Sequence, residues 1–498
     1  MIPDTFIHSN LQKLAFIGPE MILTLAILIL LGVGMIFSLQ RQRLLCTLLA
    51  VAALAGSLLT LLRLPAPAAN LGYLSELFVW DWLSCFFKIF FGVAAAFTIL
   101  LTQASRSEIG DTEYNESILL ILAVTTGMML LVAANDLLMI YLAFETMGIL
   151  SYLLVGIRGD DARSGEAALK YVLYGAFTSG TMLFGFSLLF GLAGSTDLPA
   201  VSRQVAAAAL LPQDHLLLVL AMLFLLAGLL YKTASFPFHF WCPDVYEGAP
   251  TPVTAFLSVS PKAAGFGLFI RLFYPLFATG PVSDTYAAVA GLNWPQILAW
   301  VSAITMTLGN LSAIHQKNIK RLLAYSSIAH AGYLFMGICS LSNLGLRAVV
   351  FYLVIYLFMN LGAFTVVAAV AEAGGTEEIQ SYRGLGSKTP FTCLVMTVFL
   401  FSLIGIPPFA GFVGKIYLFA AVISQKLYWL AIVAALNTVV SLYYYLRIVK
   451  AMFLETAADA FQPQVAPGSQ ILLTVLLIPT LGLGIYWQPL ANLAGLVF

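Results

Sequence analysis

Apolar runs of membrane length follow one another along almost the whole chain, separated by short polar connectors. About 20 apolar residues cross the hydrocarbon of a bilayer as one helix, since a helix satisfies its own backbone groups. The pattern predicts fourteen spans, near 16–37, 44–62, 78–101, 117–133, 136–156, 166–193, 214–236, 252–277, 294–313, 322–340, 346–371, 391–423, 428–450 and 469–487. Two are interrupted. Lys232 is followed by SFPFHFWCPDVYEGAPTP, and the twelfth span contains GIPPFAGFVG. Proline lacks a backbone donor and clashes with the preceding turn. The seventh and twelfth spans are therefore expected to be broken helices with free backbone groups near the membrane middle. The expected fold is an all-α polytopic membrane protein.

Four charges violate the pattern. Glu145 lies in LLMIYLAFETMGILSYLLVG, Lys232 in LLVLAMLFLLAGLLYKTASF, Lys262 in VTAFLSVSPKAAGFGLFIRLF and Lys415 in IGIPPFAGFVGKIYLFAAV. A charge at bilayer depth costs roughly 2.5–3.5 kcal/mol even on the lenient insertion scale, and such residues mark ion or proton paths. Desolvation weakens an ammonium's hold on its proton, and a nearby carboxylate restores it. A Glu145–Lys232 pair that approaches and separates would be a proton-affinity switch; the bland alternative is a static buried ion pair. Lys170 follows Glu166 by one helical turn, the favoured order for a Glu–Lys pair. Both are expected at the mouth of the path, with an interfacial salt bridge as the alternative. His330, in LAYSSIAHAGYLF after Ser326 and Ser327, reads as a relay between two lysines or as a packing histidine. His239 is expected to bond backbone released at the first break, and His8, His215 and His315 read as loop or interface residues.

Composition supports the membrane reading. The chain is 61% hydrophobic and 9% charged, against about 25% charged in soluble domains. Zero net charge gives no reason to expect nucleic acid as a partner. The five cysteines are scattered without C-x-x-C and read as small buried hydrophobes, not an iron–sulfur, zinc or disulfide framework. No G-x-G-x-x-G or Walker lysine loop occurs, and no nucleophile–base arrangement emerges from the helices. The N-terminal stretch lacks the plan of a signal peptide, so insertion is expected to use the first span. Loop charges set orientation. One set of loops holds Arg41, Arg43, Arg106, Arg158, Arg163, Lys317, Lys320, Arg321, Arg383, Lys388, Arg447 and Lys450; the other holds Lys13, Arg63, Arg203, Arg347 and Lys426. The richer set should face the cytoplasm, with both termini outside. Arg271 is expected to snorkel toward an interface, and Lys88 has no partner legible in the sequence. A weak internal echo, Pro237-Phe238 near Lys232 and Pro408-Phe409 near Lys415, is the trace expected of a transporter repeat.

The segment YKTASFPFHFWCPDVYEGAPTPVTAFLSVSPKAAGF (231–266) resembles the antiporter-like subunits of proton-pumping NADH:quinone oxidoreductase, respiratory complex I. So do EAALKYVLYGAFTSG, NIKRLLAYSSIAHAGYLFMGI and SLIGIPPFAGFVGKIYLF. Within that group the W-C-P-D-V-Y-E-G-A-P-T-P-V form, Lys415 in place of glutamate, and an end just after the fourteenth span resemble the subunit N (subunit 2) members. The resemblance implies an N-terminal three-helix segment (1–116), two inverted five-helix repeats (117–277 and 294–450) and a last loop and helix (451–498). It carries Glu145, Lys170, Lys232, Lys262 and Lys415 over as a charged proton axis. It implies no cofactor here; NADH, FMN, iron–sulfur clusters and quinone belong to partner subunits. The implied partners are the antiporter-like subunits M and L, the small subunits K and J and the quinone-module subunits, in a bacterial inner membrane or, alternatively, a thylakoid membrane. A cation/proton antiporter subunit without redox chemistry and a structural scaffold are the rival readings.

Overall fold

The computed structural model describes residues 14–67, 71–73, 76–282, 284–456 and 465–498; His8 and Lys13 lie outside the described residues. The helices are α1 (Gly18–Ile36), α2 (Leu39–Arg63), α3 (Trp82–Ala104), α4 (Asp111–Ala133), α5 (Leu137–Val155), α6 (Ala162–Ala193), α7 (Leu198–Ala208), α8 (His215–Lys232), α9 (Trp241–Gly248), α10 (Thr251–Phe277), α11 (Trp294–Ile314), α12 (Ile319–Cys339), α13 (Asn343–Glu372), α14 (Leu385–Lys388), α15 (Pro390–Ile404), α16 (Ala410–Ser424), α17 (Tyr428–Leu454), α18 (Pro467–Ile485) and α19 (Gln488–Val497). Among the described residues, 13 helices are long and apolar enough to cross a membrane. The shorter α15 and α16 share the twelfth expected span. The chain is thus a multi-pass membrane protein, and every expected apolar run is helical over most of its length. The short helices α7, α9, α14 and α19 were not expected, nor were two small antiparallel hairpins, β1 (Leu71–Tyr73) with β2 (Phe78–Trp80) and β3 (Ala278–Val282) with β4 (Thr285–Ala288).

Polar residues at the ends of apolar runs decide where the helices begin. Asp81 and Ser84 form a reciprocal capping box at α3. Asp136 accepts from the Leu138 and Met139 N–H groups at α5, and Asn318 accepts from Lys320 and Arg321 at α12. The same two positions tie to distant chain in the same way: Leu137 N–H reaches the Thr196 carbonyl, and Ile319 N–H reaches that of Glu377. The centre of the bundle is α10, α12 and α13; every α10 side chain except Pro275 is buried. Helices α11 and α12 approach through small residues, where a side-chain carbon on Gly332 would stand 2.7 Å from the Met306 nitrogen. The outer faces of α1, α2, α17 and α18 expose leucines and isoleucines, as lipid-facing helices do.

Contacts between connectors define the two ends of the bundle. Arg43 pairs with Asp111 at 2.9 Å, Lys320 with Glu377 at 2.8 Å, and Arg447 donates to the Ile314 carbonyl at 2.7 Å. These belong to the arginine- and lysine-rich loop set, here termed the basic end. The hairpins, α7 and α19 lie at the opposite end.

Both expected breaks are present. Helix α8 ends at Lys232, Ala234 takes a left-handed φ of 55°, and the Ser235 N–H returns to the Leu230 carbonyl at 2.8 Å. Helix α15 ends at Ile404, Gly405 takes φ 86°, and the Ile406 N–H returns to the Phe401 carbonyl at 3.1 Å. Cis peptides precede Pro237 and Pro408. At the first break Thr305 Oγ1 accepts from the Phe236 N–H at 3.1 Å, and Trp241 Nε1 donates to the Tyr231 carbonyl at 3.1 Å. His239 does not take the expected part: its Nδ1 is buried with no hydrogen-bond partner among the described residues. Arg271 does not snorkel freely either. It grips Asp81 through both terminal nitrogens and donates Nε to the Val132 carbonyl at 3.0 Å. Lys88 on α3 pairs with Glu20 on α1 at 2.8 Å, and both are buried.

Candidate proton path

Lys232 is the last residue of α8, so its ammonium sits at a half-helix C-terminus, where the backbone dipole favours a cation. The side chain is 1% exposed and its Nζ has no hydrogen-bond partner among the described residues. It lies against α5, with Nζ 5.2 Å from the Phe144 ring centre and 3.9 Å from where a side-chain carbon on Gly148 would be. Glu145 belongs to that same stretch of α5. One of its carboxylate oxygens is buried without a partner, and no ion pair as close as 4.0 Å joins it to Lys232. The structure thus brings Glu145 and Lys232 to one place without an ion pair within 4.0 Å. A buried ammonium without a partner carries a penalty of several kcal/mol, which water or a change of charge would relieve.

Lys262 is held differently. Its Nζ donates to Ser327 Oγ at 2.6 Å, lies 3.9 Å from Cys242 Sγ, and stands 5.4 Å from the Tyr246 ring centre. Tyr356 OH also donates to Ser327 Oγ, at 2.8 Å. One turn away, His330 is 3% exposed. Its Nδ1 lies 2.7 Å from Tyr352 OH and its Nε2 3.4 Å from Tyr445 OH, with donor and acceptor set by the tautomer. Its ring is centred 5.2 Å from Tyr356 and 6.0 Å from Tyr333. Lys415 in turn lies 4.4 Å from the Tyr333 ring centre and donates to the Ile404 carbonyl at 2.8 Å, capping the end of α15. His330 therefore stands between the Lys262 and Lys415 surroundings, separated from each by a tyrosine, with no direct hydrogen bond to either lysine among the described residues.

Lys170 stands apart. It is 38% exposed and paired with both Glu166 and Asp244 at 2.7 Å. The expected Glu166–Lys170 pair is present, within a larger network: Arg321 holds Asp244 at 2.6 Å and Glu247 at 2.8 Å. These groups line an open cavity of about 330 Å³ at the basic end. Sequence reasoning missed Asp244, Glu247 and Arg321, although WCPDVYEG places two acids on a membrane helix. It also placed Lys320 in a loop, whereas Lys320 is buried between the Ala249 carbonyl and Glu377. The tyrosines gave a weak signal, since Tyr246, Tyr333, Tyr352 and Tyr356 recur on otherwise apolar helices. Buried oxygens without partners also mark Tyr171, Tyr246, Ser260 and Asn360. Among the described residues no cluster of three or more His, Cys, Asp or Glu could hold a metal ion.

A many-helix membrane bundle with two broken helices and buried lysines beside the breaks has the features that mark ion-path folds. The model for the NADH:quinone oxidoreductase/Mrp antiporter transmembrane family matches residues 134–441, and the chain belongs to that family. A relative from Anaeromyxobacter sp. (strain Fw109-5), an NADH-quinone oxidoreductase subunit N, is 43% identical over 505 residues, covering 98% of this chain and 96% of the relative. A chain of respiratory complex I from Thermus thermophilus superposes with a TM-score of 0.77 at 30% identity, over 95% of this chain and 98% of that one. A chain of the Mrp complex from Dietzia sp. shares the fold, with a TM-score of 0.78 at 20% identity over 96% of each chain.

Proposed function

We propose that this chain is the subunit N of an NADH:quinone oxidoreductase, a membrane-arm subunit that carries protons while partner subunits pass electrons from NADH to quinone. The carrying observation is the row of buried lysines: Lys232 unpartnered beside Glu145, Lys262 on Ser327, and Lys415 on the Ile404 carbonyl. In this reading two inverted repeats, 117–277 and 294–450, meet at Lys262. The matching caps at Asp136 and Asn318 and the matching breaks at Ala234 and Gly405 support it. The basic end faces the cytoplasm of a bacterial inner membrane, and both termini face out. The partners are the antiporter-like subunits M and L, the small subunits K and J and the quinone-module subunits, which carry FMN and the iron–sulfur clusters.

The mechanism follows from desolvation. A lysine without a partner at mid-depth holds its charge poorly, and an approaching carboxylate stabilises it. Quinone reduction elsewhere alters the charge or hydration around Glu145 and Lys232. Lys232 releases its proton through water, whose sites are marked by the partnerless oxygens of Tyr171, Tyr246 and Ser260. Lys262 receives it, the tyrosine–His330 group passes it on, and Lys415 releases it outward. Each proton moves against about 2.3 kcal/mol per 100 mV, so the route must never open to both sides together. Breathing at the two breaks supplies that alternation. Lys170, Glu166 and Asp244 form the mouth.

Lys232→Ala in the assembled complex should abolish coupled quinone reduction while electron input to an artificial acceptor persists. Full proton-coupled turnover in that variant would remove Lys232 from the path. The antiporter reading uses the same lysines, and its likeness to the Mrp chain is one of fold. A scaffold, by contrast, would tolerate neutral residues at Glu145, Lys232, Lys262 and Lys415 alike.

A further inference from the structure

Helix α9 is the short second half of the first broken span, and it faces the path on one side and the open cavity on the other. Its inner face presents Cys242, 3.9 Å from Lys262 Nζ, and Tyr246, whose ring centre is 5.4 Å from it. Its outer face places Asp244 and Glu247 in the cavity with Lys170 and Arg321. The backbone is interrupted on both sides, by the break at Ala234–Phe240 and by Ala249-Pro250. A helix of 8 residues has little stability of its own. Its inner face is packed, with Trp241 stacked on Tyr171 at 4.4 Å between ring centres, and charge fastens its outer face: Asp244 accepts from Lys170 at 2.7 Å and Arg321 at 2.6 Å, and Glu247 accepts from Arg321 at 2.8 Å. Lys320 donates to the Ala249 carbonyl just past its end, at 2.6 Å.

A second observation concerns spacing. The left-handed residues Ala234 and Gly405 are followed at equal intervals by Pro237 and Pro408, and by the same Phe238→Ser235 and Phe409→Ile406 backbone bonds. Counting onward at equal intervals brings Asp244 opposite Lys415. The half-helices α9 and α16 thus carry one ionisable side chain at the same position, α9 running to the basic end and α16 to the other.

The geometry points to Asp244 as the inlet counterpart of Lys415: a positioning residue whose two cationic partners hold α9 closed between the cavity and Lys262. With both partners engaged, Cys242 and Tyr246 cover the Lys262 ammonium. With one released, α9 moves aside and water from the cavity reaches it. The idea rests on Lys262 belonging to the path, yet its test reads access rather than turnover.

The assembled complex, in vesicles with the basic end outward, is treated with a membrane-impermeant methanethiosulfonate. Mass spectrometry of peptides separates Cys242 from Cys46, Cys85, Cys339 and Cys393. Asp244→Asn should raise the rate of Cys242 modification by about tenfold or more, as expected when charge-assisted bonds set a local opening equilibrium. Asp244→Glu should restore most of the protection, and Lys170→Met should raise the rate by less. Cys242 modified at the wild-type rate in Asp244→Asn overturns the proposal; so does an equal rise at the buried Cys339 and Cys393, which would mean general loosening. If Asp244→Asn fails to assemble, wild-type protection in both Lys170→Met and Arg321→Gln overturns it equally. A failed Lys232 test leaves these rates unaffected, so the two readings fail separately.

Discussion

Ser327→Ala removes the hydroxyl that accepts from Lys262 Nζ at 2.6 Å and from Tyr356 OH at 2.8 Å. Ser327 is 1% exposed, so no bulk water replaces the lost acceptor freely. A hydrogen bond to a charged group contributes about 1.5–3 kcal/mol, and leaving a buried charge short of an acceptor adds to the loss. At about 1.4 kcal/mol per tenfold, the correctly placed fraction of Lys262 should fall by roughly tenfold to a hundredfold. If proton transfer through Lys262 limits coupled turnover, quinone reduction and vesicle acidification should fall together by that factor. Tyr356→Phe removes only a neutral donor to the same oxygen and leaves the Lys262 bond intact. Its effect should stay within a few-fold, near the roughly 1 kcal/mol of a neutral bond. The assay is NADH-driven quinone reductase activity with acidification of inverted vesicles, normalised to assembled complex. Wild-type turnover in Ser327→Ala, or a Tyr356→Phe defect as large as that of Ser327→Ala, would refute Ser327 as the seat of Lys262.

At the exit, Lys415→Ala should stop proton release and slow coupled turnover, whereas Lys415→Arg should keep part of both, since a cation can still cap the Ile404 carbonyl; vesicle acidification reads the difference, and an alanine variant as active as wild type removes Lys415 from the route. In the three N-terminal helices, Lys88→Met or Glu20→Gln alone should lower stability by about 3–5 kcal/mol by stranding a buried charge. The Glu20→Leu, Lys88→Met double variant should recover most of it; thermal unfolding of the purified complex measures this, and a double variant as weak as the singles would show that the pair at 2.8 Å is not where the penalty arises.

The buried lysines were legible because each sits inside its own apolar run, and the expense of a charge in hydrocarbon depends on position within that run. The breaks were legible because proline acts on its own turn. Partners were not. Lys88 and Glu20 lie on different helices, as do Asp244 and Arg321, and nothing local in either segment names the other. Arg271 was misread for the same reason: Asp81, its bidentate partner, lies 190 residues earlier in the chain. His239 was expected to bond the released backbone, but the crossing of α11 brings Thr305 to that place instead.

Hydropathy along the chain determined that this protein spans the membrane, how many apolar runs it has, where two of them break, and which charges lie at depth. All of these follow from the solvation of single segments. Tertiary structure decided which charges meet and which stay apart: Lys232 beside but not on Glu145, Lys262 on Ser327, His330 among four tyrosines, and Lys170 paired with Asp244 at an open cavity. Those pairings depend on how helices cross and rotate against one another. The packing of whole helix faces sets that, and no single stretch of sequence carries it.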